Sequence, residues 1–307
     1  MFLSEEEVHS LLSMRDLIPV TAKALCDLSS GKVIQPVRTV LPIEEHGGFF
    51  GVMPAVRLNV GEHGGAVGAK LVTFYPNNKG IPTHHGMILL FRPETGEPLV
   101  TMDGRLITEM RTAAASAVAT DELARRDVGV LAILGSGVQA RSHLEALRLV
   151  REFREVRVWS PRSADQFARE FGVTAASSAE DAVRGADVIV VATAATTPVL
   201  LGDWISPGAH INAVGATRPN WRELDDSLLR KARIYVDSRE AAGKESGDII
   251  AAREIVGEIG EVIGGSKSGR TSDGQITLFK SVGVAIEDVA AADLVYRRAL
   301  ARQDQGR

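Results

Sequence analysis

Residues 128–150, VGVLAILGSGVQARSHLEALRLV, constrain this chain more than any other segment. Residues 128–134 are an apolar, β-branched-rich run that reads as a buried strand. They lead directly into Gly135-Ser136-Gly137-Val138-Gln139-Ala140, and an amphipathic helix follows. A strand, a Gly-x-Gly-x-x-Ala turn and a helix in this order open a dinucleotide-binding βαβ unit. Gly135 permits the tight turn, Gly137 lets the backbone approach a pyrophosphate, and Ala140 lets helix and strand pack closely. The helix N-terminus, with Val138 and Gln139 in its first turn, then offers free N–H groups and partial positive charge to phosphates. Taken alone, such a turn is often an ordinary strand-to-helix loop. The flanking strand and helix favour the cofactor site.

Beyond this unit strands and helices keep alternating: EVRVW, SADQFAREF, GVTAA, SAEDAVRG, DVIVVAT, AHINAVG, RELDDSLLRKA, RIYVD and ITLFKS. Near-continuous apolar strands separated by helices imply a parallel sheet covered on both faces. The predicted fold is therefore α/β, a Rossmann doubly wound parallel sheet, with residues 246–265 helical. The N-terminal third reads differently. Residues 4–28 are helical, with Ser4 as N-cap before Glu5, Glu6 and Glu7. Residues 33–110 are strands broken by Gly, Pro and Asn, among them a strand over 47–60, and residues 108–125 form an alanine-rich helix. A second α+β domain for substrate and dimerisation is thus expected over 1–112 with 284–307, and an NAD(P)-binding Rossmann domain over 113–283. The last helix returns to the N-terminal domain, and the tail after Leu300 frays.

The 307-residue chain carries a formal net charge of −4, which argues against a nucleic-acid partner. Its apolar runs are too short to span a bilayer, so no membrane association is expected. Cys26 is the only cysteine and reads as a packing residue, which fits a reducing cytoplasm.

The second strand, EVRVW, ends in Ser160-Pro161-Arg162-Ser163. A carboxylate there would hold a ribose 2′-hydroxyl. Ser160, Arg162 and Ser163 instead suit a 2′-phosphate, so NADPH is expected over NADH. In the N-terminal half, alternation in GAKLVTFY puts Lys70 on one face with Val72 and Phe74, an unusual setting for a lysine without a partner. With Arg38 and Arg111 it suggests a carboxylate-binding cluster: arginine grips a carboxylate bidentately, and a partly desolvated lysine can donate a proton near neutral pH. Taken singly, each of the three reads as a solvated cation or an ion-pair partner. Thr83-His84-His85-Gly86 is a poor chelate, because neighbouring strand residues face opposite ways. No metal site is expected, though one histidine can face the active site.

These residues lie within longer stretches that resemble the ornithine cyclodeaminase/mu-crystallin family, and within it the ketimine reductases. The matching stretches are QPVRTVLP, GVMPA, KLVTFY, LLFRPETGEPLVTMDG, RTAAASAVAT, ILGSGVQARSH, PGAHINAVGATRPNWRELDD, YVDSREAAGKESGD, GEIGEVIGG and TLFKSVGVAIEDVAAADLVY, in order and almost end to end. The resemblance implies a homodimer. It assigns Arg38, Lys70 and Arg111 to the substrate carboxylate, with Lys70 the proton donor. Thr83 and His84 line the site. Ser160, Arg162 and Ser163 fall in the adenosine-phosphate loop, and Thr193, Val214, Glu245 and Ser281 are further cofactor or substrate contacts. One departure matters. Ornithine cyclodeaminases carry an aspartate after the NAVG run, and here Thr217 stands in its place. Threonine has no charge to hold or deprotonate an ammonium group. The expected function is NADPH-dependent reduction of a cyclic ketimine carboxylate, such as Δ1-piperideine-2-carboxylate, Δ1-pyrroline-2-carboxylate or a sulfur analogue. The alternatives are a non-catalytic, NADPH-dependent binder of a thyroid-hormone-like ligand, or another amino-acid dehydrogenase of the family.

Overall fold

Period-two alternation over the N-terminal third produces one mixed sheet in a computed structural model that describes residues 1–58 and 65–305. The chain divides into two units, Met1–Arg111 with Gly283–Arg307, and Thr112–Val282.

In the first unit, β1 (Phe2–Leu3) leads to α1 (Glu5–Leu11) and α2 (Met14–Ser29). Ser4 caps α1 in a reciprocal box with Glu7, satisfying two backbone N–H groups that the first turn leaves open. Then come β2 (Val33–Ile34), β3 (Thr39–Ile43), β4 (Gly48–Arg57), β5 (Ala66–Phe74), β6 (His84–Phe91), β7 (Pro98–Asp103) and α3 (Arg105–Leu123). The sheet runs β1-β7-β6-β5-β4-β2, with β3 also on β4. Every pairing is antiparallel except β1 with β7. Asn59 and Val60, which close the predicted 47–60 strand, lie outside the described residues. One sheet face, with Met53, Ala55, Gly68, Lys70, Ile88 and Leu90, is buried. The C-terminal helix, Ala285–Gln305, packs against α2, β4, β5 and β6.

Two sequence expectations change here. Helix α3 starts at Arg105 rather than at residue 108, because Asp103 Oδ1 accepts the Arg105 N–H at 2.8 Å and stops the strand. The segment 301–305 is helical rather than frayed. Just upstream, Arg298 ties the helix down by donating to Leu11 O at 2.9 Å and pairing with Asp16 at 2.9 Å. Gly306 and Arg307, the end of that tail, lie outside the described residues.

The second unit holds β8 (Val130–Leu134), α4 (Val138–Val150), β9 (Glu155–Trp159), α5 (Ala164–Phe171), β10 (Thr174–Ala175), α6 (Ala179–Val183), β11 (Val188–Val191) and β12 (His210–Ala213). It continues with α7 (Asp226–Lys231), β13 (Arg233–Val236), α8 (Arg239–Glu245), α9 (Gly247–Ile250), β14 (Gly257–Glu258), α10 (Ile259–Ile263) and β15 (Thr277–Lys280). The strand order is β10-β9-β8-β11-β12-β15-β13-β14, all parallel. Strand β8 has β9 on one side and β11 on the other, so the connections leave it in opposite directions. That reversal makes the crevice at the carboxyl ends of β8 and β11 where doubly wound sheets bind ligands. The predicted helix over 246–265 is interrupted: β14 adds to β13, Tyr235 opposite Gly257, and splits it into α9 and α10.

Candidate active site

Lys70 lies at the centre of β5, paired with Met53 on β4 and Ile88 on β6, and is 1% exposed. A cation so buried needs partners, and the C-terminal helix supplies them. Lys70 Nζ is 2.8 Å from Asp288 Oδ2 and donates to Thr108 Oγ1 at 3.3 Å. Arg111, on α3, donates through Nε to Asp288 at 3.0 Å and through Nη1 to Glu287 at 2.8 Å. Gly68 lets the helix approach: a Cβ there would meet Val289 Cγ2 at 3.2 Å and Leu89 O at 2.6 Å. Gly283 has the same character, with φ +78° and a hypothetical Cβ only 2.3 Å from Arg111 Nη1. Its carbonyl accepts from Arg38 Nη2 at 2.6 Å.

Lys70 and Arg111 pair with Asp288 and Glu287, and the positive charge of Arg38 also acts on Lys70. Burial lowers the Lys70 ammonium to about 8, with Arg111 and Arg38 pushing the same way and Asp288 opposing them. Burial, then Lys70 and Arg111, lower half-buried His84 to about 4, so its ring is neutral near pH 7. His85, on the opposite face of β6, is exposed, as is Thr83, whose carbonyl accepts from Tyr75 N–H at 2.8 Å. Two of the Arg111 nitrogens are engaged within the fold, Nε by Asp288 and Nη1 by Glu287.

In the second unit Gly135 adopts φ +113°, and a Cβ there would lie 2.3 Å from Ala192 O. Only glycine fits. Gly137 caps α4 with no side-chain hydrogen bond, so the N–H groups of its first turn, at Val138 and Gln139, have no side-chain cap. A Cβ on Gly137 would meet nothing within 4 Å. Val138 is 49% exposed, an open apolar position beside that turn. At the end of β9, Ser163 Oγ lies 2.6 Å from Ser136 Oγ and 3.5 Å from Ser160 Oγ, with Arg162 exposed beside them. Three hydroxyls, an exposed guanidinium and a 13-residue helix without a side-chain cap are a donor set that fits a dinucleotide's phosphates.

The other residues singled out in sequence lie at the strand ends or beyond. Thr193 donates through N–H and Oγ1 to Glu223 Oε1, at 2.9 and 2.6 Å. Val214 is half-buried, and Thr217 is exposed after Ala216, whose φ is +50°. Glu245 ends α8 and is buried. Ser281 Oγ donates to Asp237 Oδ2 at 3.0 Å. The sequence reading missed Glu287, Asp288, Thr108, Gly283 and Glu223. The one available signal for the first two was a pair of adjacent carboxylates in an otherwise alanine- and valine-rich helix.

A model of the ornithine cyclodeaminase/mu-crystallin family matches residues 1–303. The chain is 50% identical over 306 residues to the ketimine reductase mu-crystallin of Mus musculus, covering 96% of each chain. Among solved structures, the Δ1-pyrroline-2-carboxylate reductase of Thermococcus litoralis in complex with NADH and L-proline matches with a TM-score of 0.93. Its identity is 40%, over 99% of this chain and 98% of that one. An archaeal alanine dehydrogenase dimer with bound NAD matches with a TM-score of 0.89 and 37% identity, over 99% and 97% of the two chains. Both the match across residues 1–303 and the identity to these relatives establish that the chain belongs to the ornithine cyclodeaminase/mu-crystallin family.

Proposed function

We propose that the protein is an oxidoreductase that reduces cyclic ketimine carboxylates, with NADPH preferred over NADH. The substrates are Δ1-piperideine-2-carboxylate, Δ1-pyrroline-2-carboxylate or their sulfur-ring analogues, and the products are cyclic amino acids. The observation that carries this reading is the buried Lys70–Asp288–Arg111–Glu287 cluster, in which burial lowers the lysine ammonium to about 8.

Arg38 and Nη2 of Arg111 bind the substrate carboxylate beside the buried ion pairs. Lys70, still mainly protonated at pH 7, donates a proton to the imine nitrogen and makes the adjacent carbon electrophilic. Asp288 and Thr108 keep its Nζ in one place. The cofactor is held by the Gly135–Gln139 turn, with Ser160, Arg162 and Ser163 on the 2′-phosphate. When bound, it supplies the hydride. Thr217 offers no base for a substrate amine, which favours a substrate that already contains C=N over ornithine or alanine. A non-catalytic carboxylate binder has no need of a lysine depressed to about 8, so the enzyme reading is preferred. The named relatives support it.

Assembly as a homodimer and a cytoplasmic location belong to this reading. The apolar, half-buried face of the first sheet and the lone, free Cys26 support them. No helix among the described residues is long and apolar enough to cross a membrane.

The test is a panel of cyclic and acyclic imines assayed for NADPH and NADH consumption. Turnover of cyclic ketimine carboxylates with NADPH is expected. Binding of those imines without consumption of either cofactor would contradict the reading.

A further inference from the structure

The carboxyl end of the parallel sheet buries ionisable side chains that the reaction above does not use. Glu223, Asp248 and Lys280 are each 0% exposed. Glu223 Oε1 accepts both hydrogen bonds from Thr193. Its Oε2 is buried and has no hydrogen-bond partner among the described residues. The carboxylate fills the space a side chain at 215 would need: a Cβ on Gly215 would come 2.3 Å from Oε2. Asp248 Oδ1 accepts from the N–H groups of Glu223 and Leu224, each at 3.1 Å. Its Oδ2 is 3.3 Å from Lys280 Nζ, which also donates to Gly215 O.

Glu223 and Asp248 therefore share one ammonium. With both ionised, the three side chains carry one net negative charge away from water, an arrangement that costs free energy. Burial, with Asp248 adding to it, pushes the Glu223 carboxyl up to about 7, against the pull of Lys280 and the Thr193 hydrogen bonds.

The position suggests the use. Thr193 follows β11 and Gly215 follows β12, at the strand ends where open α/β sheets receive ligands. The nicotinamide ring changes charge in the proposed reaction. A ring C–H bond breaks with its electron pair, and a C–H bond forms at the imine carbon. The C=N pair moves to nitrogen, which takes a proton, and the ring is left cationic. A fixed negative charge favours the second redox state over the first, which is differential binding toward the product side.

We propose that Glu223 tunes the cofactor site: its carboxylate, set against Gly215 and tied to Thr193, favours the oxidised, cationic nicotinamide over the reduced, neutral ring. The inference rests on the cofactor reading above and on the expectation that Thr193 and Val214 lie along the bound cofactor.

The test is calorimetric titration of the wild-type protein and of Glu223→Gln with NADP⁺ and with NADPH, from pH 6 to pH 8.5. Both ligands carry the same 2′-phosphate, so its own titration cancels in the ratio of their dissociation constants. In the wild type the preference for NADP⁺ should rise as pH climbs through about 7, on the order of tenfold, as Glu223 ionises. Glu223→Gln should flatten that rise and weaken NADP⁺ at pH 8 on the order of tenfold, with NADPH changed by no more than about twofold. Equal weakening of both forms in the variant would reduce Glu223 to a structural prop and overturn the proposal. So would a wild-type ratio that ignores pH, a result that needs no variant. A wild-type protein that binds neither form removes the cofactor reading and this inference together. Binding of both forms with an unaltered ratio in Glu223→Gln removes this inference alone.

Discussion

Arg111 shows how far a single residue can depart from its sequence-level reading. Seen in sequence it is a carboxylate clamp, and Arg111→Ala should then act mainly by raising KM. In the structure its guanidinium is also the counter-ion of Glu287 and Asp288, which are 0% exposed. Removing it takes a paired guanidinium away from two buried carboxylates. Breaking a buried pair of this kind costs about 3–5 kcal/mol. Arg111→Ala is therefore expected to lower Tm markedly as well as to raise KM for the imine, checked by calorimetry and by initial rates. An unchanged Tm would mean that the pairs contribute nothing to the fold. Lys70 was legible because alternation put a lysine on an apolar face. Its partners were not. Glu287 and Asp288 stand in the first turn of a helix, where acidic residues ordinarily face water and favour the N-terminus. Only the packing of that helix on β5 turns them into counter-ions.

At the scale of elements, the strand–turn–helix from β8 to α4 was readable from local pattern because each of its glycines has a local reason. Gly135 needs a positive φ, and Gly137 leaves the helix end open. The end of β9 was readable in the same way. There the hydroxyls of Ser136, Ser160 and Ser163 converge beside an exposed Arg162. Losing one charge-assisted contact to a phosphate costs about 1.5–3 kcal/mol. Arg162→Ala should therefore raise the NADPH KM by about tenfold or more and leave that for NADH nearly unchanged. Equal effects on both cofactors would remove the 2′-phosphate assignment. The interruption of 246–265 and the insertion of β15 between β12 and β13 were not legible. Both are decided by which distant strand offers a free edge, and short-range periodicity carries no information about that. The cluster around Glu223 was hidden for the same reason, since Thr193, Glu223, Asp248 and Lys280 come from four separate segments.

For the whole molecule, the first sheet sets a requirement of its own. Opposite the face covered by the C-terminal helix, Val52, Pro54, Val56, Val67, Ala69 and Leu89 are only half-buried. A contiguous apolar face of this kind is a common interaction surface, and a second copy of the chain is the occupant proposed here. Light scattering at micromolar concentration should give a mass twice the 32.8 kDa of one chain. A mass equal to one chain would contradict the homodimer. The family and the α/β class were both accessible from sequence, through long motifs in order and through alternating strands and helices. The chemistry depends on fewer atoms and is tested more narrowly. Its central claim is that Lys70, held by Asp288, gives the proton that makes a cyclic imine reducible. Lys70→Met keeps the bulk and removes the proton. With NADPH and a cyclic ketimine carboxylate, its kcat should fall by about 10²–10⁴-fold while NADPH fluorescence still reports cofactor binding. A Lys70→Met enzyme that reduces the imine at the wild-type kcat would contradict the account.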